Sequence, residues 1–179
     1  MLQLLQAFQN AGFGNLFCAF ASGVTPAVYS ATAQAGPLLW NGSAVGGGRG
    51  VNAFLLAAGF GLTTAATAAA ILGIAGNTGQ AAAPTTTTGI TVVNNLRLGS
   101  SAPQCNSYNA GTVTNGGNVF VPVGQIGTGA ITVTDDSVEW VELGGGIIVP
   151  PGAWASVAAS VTPTSAVMGI GLIWAEVPN

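Results

Sequence analysis

The stretch Leu143-Gly144-Gly145-Gly146-Ile147-Ile148-Val149-Pro150-Pro151-Gly152-Ala153-Trp154 decides the fold. Its apolar run is fenced by three glycines on one side and Pro-Pro-Gly on the other, which leaves room for a strand and none for a helix. Immediately upstream, Ser137-Val138-Glu139-Trp140-Val141-Glu142-Leu143 places Val138, Trp140 and Glu142 on one strand face and Ser137, Glu139, Val141 and Leu143 on the other. Both faces are partly apolar, so this strand is expected to be covered twice, by a second sheet and by a neighbouring subunit. The run Val167 to Val177 has the same character. Its Gly169 and Gly171 share one face and leave space for a large neighbour such as Trp140 or Trp154.

The same alternation of short runs and turn residues extends back to Gly23. Strands are expected at Thr25 to Ser30, Leu38 to Trp40, Val51 to Phe60, Thr91 to Leu98, Val119 to Val123, Ile131 to Thr134, Val138 to Leu143, Ile147 to Val149, Trp154 to Val161 and Ala166 to Val177. Between them lie spacers such as Asn41-Gly42-Ser43, Asn115-Gly116-Gly117 and Asp135-Asp136-Ser137. Many short strands without βαβ alternation indicate an all-β chain, a sandwich or barrel. Residues 1 to about 20 have a helical look, with Leu2, Leu5 and Phe8 at three-residue spacing, so residues 1–22 are expected to form a short helical or extended arm and 23–179 one β-sandwich domain. Thr85 to Thr88, within the low-complexity stretch 81–88, is expected to be an extended, solvated connector.

Charge is the compositional extreme. Of 179 residues, two are Arg, five are Asp or Glu, and none is Lys or His. That is 4% charged, against roughly a quarter in an ordinary domain, with a mean hydropathy of +0.59. Without His there is no imidazole base or His metal ligand, and without Lys no Schiff base or P-loop lysine, so an enzyme is not expected. Two cations cannot neutralise a run of phosphates, which argues against nucleic acid as a partner. No charge falls between Val51 and Leu96, and Val51 to Leu62 with Ala65 to Ala75 is the strongest membrane-span candidate. Its Ala, Gly and Thr content and its glycines at 59 and 61 argue against a span. The amino terminus lacks a basic leader region, so no export signal is expected.

Possible chemistry is sparse. Asp135 and Asp136 with a carbonyl could bind calcium, but the usual loop spacing is missing, and a solvated turn is expected. Glu139 and Glu142 lie three apart and point to opposite strand faces, which separates them as an acid and base pair. Gly46-Gly47-Gly48-Arg49-Gly50 lacks the Lys and Ser/Thr of a phosphate loop. Asn41-Gly42-Ser43 matches a glycosylation sequon. Cys18 and Cys105 are too far apart in sequence to define a motif and are expected to be free thiols. Trp40, Trp140, Trp154 and Trp174 are expected as core anchors, with a carbohydrate-stacking platform as the alternative. Leu2, Leu5, Phe8, Arg49 and Arg97 are the candidate interface residues. No cofactor and no metal is expected.

The stretch Leu143 to Trp154, followed by a terminal strand ending Leu172-Ile173-Trp174-Ala175-Glu176-Val177-Pro178, resembles the closing strands of small jelly-roll proteins of virus and bacteriophage particles. The resemblance covers about the last 45 residues and implies a capsid decoration, or cement, protein. It would sit on the virion surface after assembly in the host cytoplasm, as a homotrimer stabilising the shell of major capsid protein. A receptor- or glycan-binding module of a spike or tail fibre is the alternative. Low charge leans the same way, since a surface covered by copies of itself and a scaffold needs few charges. All five carboxylates fall after residue 134. Contacts are therefore expected in the first three-quarters of the chain and water-exposed surface in the last.

Overall fold

The computed structural model describes residues 15–43, 50–90, 93–95, 103–128 and 139–179. Among these the elements are β1 (Asn15–Val24), β2 (Ala33–Trp40), β3 (Val51–Thr64), β4 (Ala70–Asn77), β5 (Thr85–Ile90), β6 (Val93–Asn95), β7 (Asn106–Thr112), β8 (Val119–Ile126), β9 (Glu139–Val149), β10 (Trp154–Ala159) and β11 (Val167–Pro178). The described residues are all-β, and their two antiparallel sheets pack as a sandwich. One sheet runs β6-β1-β11-β3-β9 and the other β5-β7-β2-β10-β4-β8. The pairings nest: β1 with β11, β2 with β10, β3 with β9 and β4 with β8, all antiparallel.

Alternation of apolar residues builds the core between the sheets. Phe17, Ala19 and Ala21 of β1 point inward, as do Leu55 of β3, Leu72 and Ile74 of β4, Val157 of β10, and Met168, Ile170, Leu172 and Trp174 of β11. Phe17 and Trp174 pack ring to ring, with centroids 5.7 Å apart. Side chains of this size contribute about 1.5–3 kcal/mol each on full burial, so the sandwich needs no charged pair to hold it.

Part of the other face of the six-stranded sheet is covered as well, by the chain's own loops. Leu38, Trp40, Ala75, Val113, Trp154 and Ala158 form a second buried cluster beneath Tyr29, Tyr108 and Phe120. The segment 25–32 is held over it by Tyr29 N donating to Ala159 O and Gly117 N donating to Tyr29 O. Trp40 Nε1 donates to Gln80 O and Trp154 Nε1 to Asn115 O, at 3.0 and 3.3 Å. All six residues of β10 are buried for this reason.

Several expectations need correction. Asn15–Val24 is a strand paired on both sides, so residues 15–22, expected as part of an arm, belong to the sandwich. Residues 1–14, including Leu2, Leu5 and Phe8, lie outside the described residues. Thr25 to Ser30 is a covering loop with one bridge, Val28 to Ala159, and not a strand. The span candidate forms β3 and β4, and among the described residues no helix is long and apolar enough to cross a membrane. The threonine run is exposed, as expected, but it is the sheet-edge strand β5 paired to β7. The two strands expected around Gly144–Gly146 are one, β9, because Gly144 and Gly145 take φ of 60° and 74° and let the chain bulge between the Ala57–Glu142 and Leu55–Ile147 pairs.

Candidate functional site: an uncovered apolar sheet face

The outer face of the β1-β11-β3-β9 sheet follows from its register. One row across the strands is Phe20, Gly171, Gly59, Trp140. The next is Cys18, Ile173, Ala57, Glu142, and the third Leu16, Ala175, Phe54, Ile148. Glu142 is the only charged group among these twelve positions. Large apolar side chains remain exposed here: Phe20 by 50%, Trp140 by 45% and Ile148 by 51%. At roughly 200 Å² per large side chain these three leave on the order of 300 Å² of apolar surface, the size of the largest patch on many monomers, which is often a functional one.

Glycines shape this face. A Cβ on Gly59 would come within 2.8 Å of the Trp140 ring and one on Gly171 within 2.8 Å of its far edge, so the indole lies across β3 and β11. A Cβ on Gly169 would meet Phe20 Cζ at 2.9 Å. The space expected beside Gly169 and Gly171 is thus filled by Phe20 and Trp140 respectively. Trp40, Trp154 and Trp174 are buried anchors, whereas Trp140 is not. Among the described residues β9 is a sheet edge, and its outward row has no second layer of this chain above it.

An apolar crevice adjoins this face where β8 and β9, the edge strands of the two sheets, diverge. It encloses about 190 Å³ and is lined by residues that include Ile74, Val119, Val121, Ile147, Ile148 and Trp154. Val119 and Val121 are themselves 53% and 36% exposed.

The remaining sequence candidates have structural roles or lie elsewhere. Asn41 is fully buried, and its Nδ2 donates to Val51 O and Val149 O at 2.7 and 2.8 Å, tying β2 to β3 and β9. In the folded chain the sequon is therefore a structural clamp. Glu176 is only 3% exposed, against the expectation of a solvated acidic terminus. Its carboxylate accepts from Gln104 N at 2.8 Å, Cys105 N at 3.0 Å and Trp174 Nε1 at 3.2 Å, which offsets the cost of burial. Cys18 and Cys105 are free thiols. Burial, and then the Glu176 carboxylate, pushes the Cys105 thiol far above the ordinary thiol range, so it is a poor nucleophile. Arg49, Arg97, Asp135 and Asp136 lie outside the described residues. Among the described residues no group of three or more Cys, Asp or Glu side chains could hold a metal.

Sequence reasoning missed Leu16, Cys18, Phe20 and Ile148 as members of one face. The signal was present in β1, where residues of both parities are apolar. No family model, curated protein or solved structure matches this chain.

Proposed function

We propose that this chain is a structural virion protein of the capsid-decoration kind, a homo-oligomer that binds the outer shell of major capsid protein and stabilises it. The observation that carries the reading is the uncovered apolar face of β1-β11-β3-β9, set on a chain almost without charge. Such a face favours a permanent protein partner, because obligate interfaces are apolar and poor in charge. The proposal includes a jelly-roll topology. Its support is the nested pairing, in which a four-stranded unit β1-β11-β3-β9 faces β2-β10-β4-β8 as if one long hairpin had been rolled up. Jelly rolls recur in capsid and lectin domains, an analogy of fold that leaves the function to the site. Three copies per oligomer is the number implied by the resemblance of the carboxyl-terminal strands.

A glycan-binding module of a spike or tail fibre is the second reading. It is favoured by the half-exposed Trp140 indole, which rests on two glycines with Glu142 two residues along the same face. The other positions of the three rows offer no further charged or amide side chain to fix sugar hydroxyls, which weighs toward a protein partner. The test is co-sedimentation of the chain with assembled shells alongside a glycan array. Trp140→Ser is expected to lose shell binding while remaining folded. Shell binding unchanged in that variant, or strong glycan binding with none to shells, would overturn the reading.

A further inference from the structure

We infer that the shell protein covering the β1-β11-β3-β9 face presents an arginine to it, whose guanidinium stacks on the Trp140 indole and forks to the Glu142 carboxylate. The inference rests on the reading proposed above and names the partner's chemistry at one point. It starts from charge. Glu142 is exposed and carries the only charge among the twelve outward positions of the three rows. The described residues contain no Arg, Lys or His, so this part of the chain has no cation to pair with it. A protein that covers the face takes the carboxylate out of water, and a charge buried without a counter-charge strongly disfavours the complex. The counter-charge therefore comes with the partner.

Trp140 decides which cation fits. A Cβ on Gly59 would meet Cδ2, Cε2 and Cε3 of the indole and one on Gly171 would meet Cη2, so one face of the ring rests on the two glycines. The opposite face is open to a partner. Glu142 follows two residues later on the same strand face, about 7 Å along β9. A guanidinium is planar: its face stacks within about 6 Å of an indole centroid while its N–H fork reaches a carboxylate beside the ring. An ammonium is a compact, strongly hydrated point charge without that plane or fork. A sugar stacks on the same ring but brings no charge to answer Glu142.

Two measurements test this. In NMR spectra of the free protein, with the Trp140 indole signal assigned by its loss in Trp140→Phe, N-acetyl-arginine amide at millimolar concentration is expected to shift that signal, and its uncharged citrulline analogue is not. The shift should vanish in Glu142→Gln, whose fold is checked by thermal unfolding. In co-sedimentation with assembled shells, Glu142→Gln is expected to bind about thirtyfold more weakly, the loss typical when one member of a desolvated charge pair is removed. Blocking shell arginines with phenylglyoxal should weaken wild-type binding as much and Glu142→Gln no further, whereas acetylating shell lysines should change neither. Equal shifts from the arginine and citrulline compounds, or shell binding indifferent to Glu142→Gln, would overturn the inference; in the second case the decoration reading stands. An oligomer that dissociates both in Glu142→Gln and in Arg49→Ala or Arg97→Ala would move the arginine to a second copy and overturn its assignment to the shell. Arginine-dependent shifts in a protein that ignores shells would overturn the decoration role and leave this site standing.

Discussion

Adding one methyl group at Gly59 is expected to lift the Trp140 indole from the sheet. The three atoms nearest to a Cβ at this position all belong to that ring, at 2.8 to 2.9 Å, where carbon atoms in contact normally sit about 3.5–4.0 Å apart. The ring must retreat by most of an ångström, and it can, because its outer side is open. Trp140 is 45% exposed, so about 100–130 Å² of its surface is buried. At about 25 cal/mol per Å² its whole contact contributes near 3 kcal/mol, of which Gly59 supports one part and Gly171 another. Replacing Gly in a strand by Ala would otherwise gain about 0.5–1 kcal/mol. The net cost of Gly59→Ala is thus about 1 kcal/mol. In a Trp140→Ala background the same change should gain about 0.5 kcal/mol, a coupling of roughly 1.5 kcal/mol in a double-mutant cycle. Urea unfolding of the four proteins measures it, with a red shift in tryptophan emission for Gly59→Ala as a second readout. Equal costs in both backgrounds would show that the indole does not rest on Gly59, and the description of this face would fail with it.

Three further outcomes follow from the buried polar groups. Asn41→Ala leaves the Val51 and Val149 carbonyls without their amide donor and should cost about 2–4 kcal/mol by urea unfolding; a change under about 0.5 kcal/mol would deny Asn41 its clamping role. Glu176→Gln replaces one acceptor oxygen by an amide that confronts a backbone N–H, with an expected loss of about 2 kcal/mol, and Glu176→Ala should lose more. Because the Cys105 thiol is raised in the folded chain, the folded state keeps a proton that the unfolded state releases above about pH 8.5. Its stability contribution is therefore intact below that pH and should fall by about 1.4 kcal/mol per pH unit above it. Unfolding followed from pH 8 to 10 should show a steeper decline in wild type than in Cys105→Ala, and parallel declines would contradict the assignment.

The fold class was legible in the carboxyl-terminal third because Gly144–Gly146 and Pro150–Gly152 cut the apolar sequence into pieces too short for helices. The second sheet was harder to read. β4 and β7 are rich in Ala, Gly and Asn, whose strand propensity is low, and they hold their place through neighbours on both sides. β1 was misread because a strand apolar on both faces loses the period of two that identifies strands. Trp140 was taken for a core anchor for a related reason: nothing local to Val138 to Leu143 reveals that β9 is an edge strand, which depends on the pairing of β3 with β11 and β9. Two parts of the candidate site could be anticipated, namely the low charge and the space beside Gly169 and Gly171. The assembly of Phe20, Trp140 and Ile148 into one face could not, since it joins residues more than a hundred positions apart.

Hydroxyl-radical footprinting of Trp140, Phe20 and Ile148, in the free chain and in the assembled particle, tests the central claim most directly. The account predicts that Trp140 oxidises readily in the free protein and is protected in the particle, while exposed residues away from the face, such as Val161, react equally in both. Oxidation of Trp140 at the same rate in particle and free chain would contradict it.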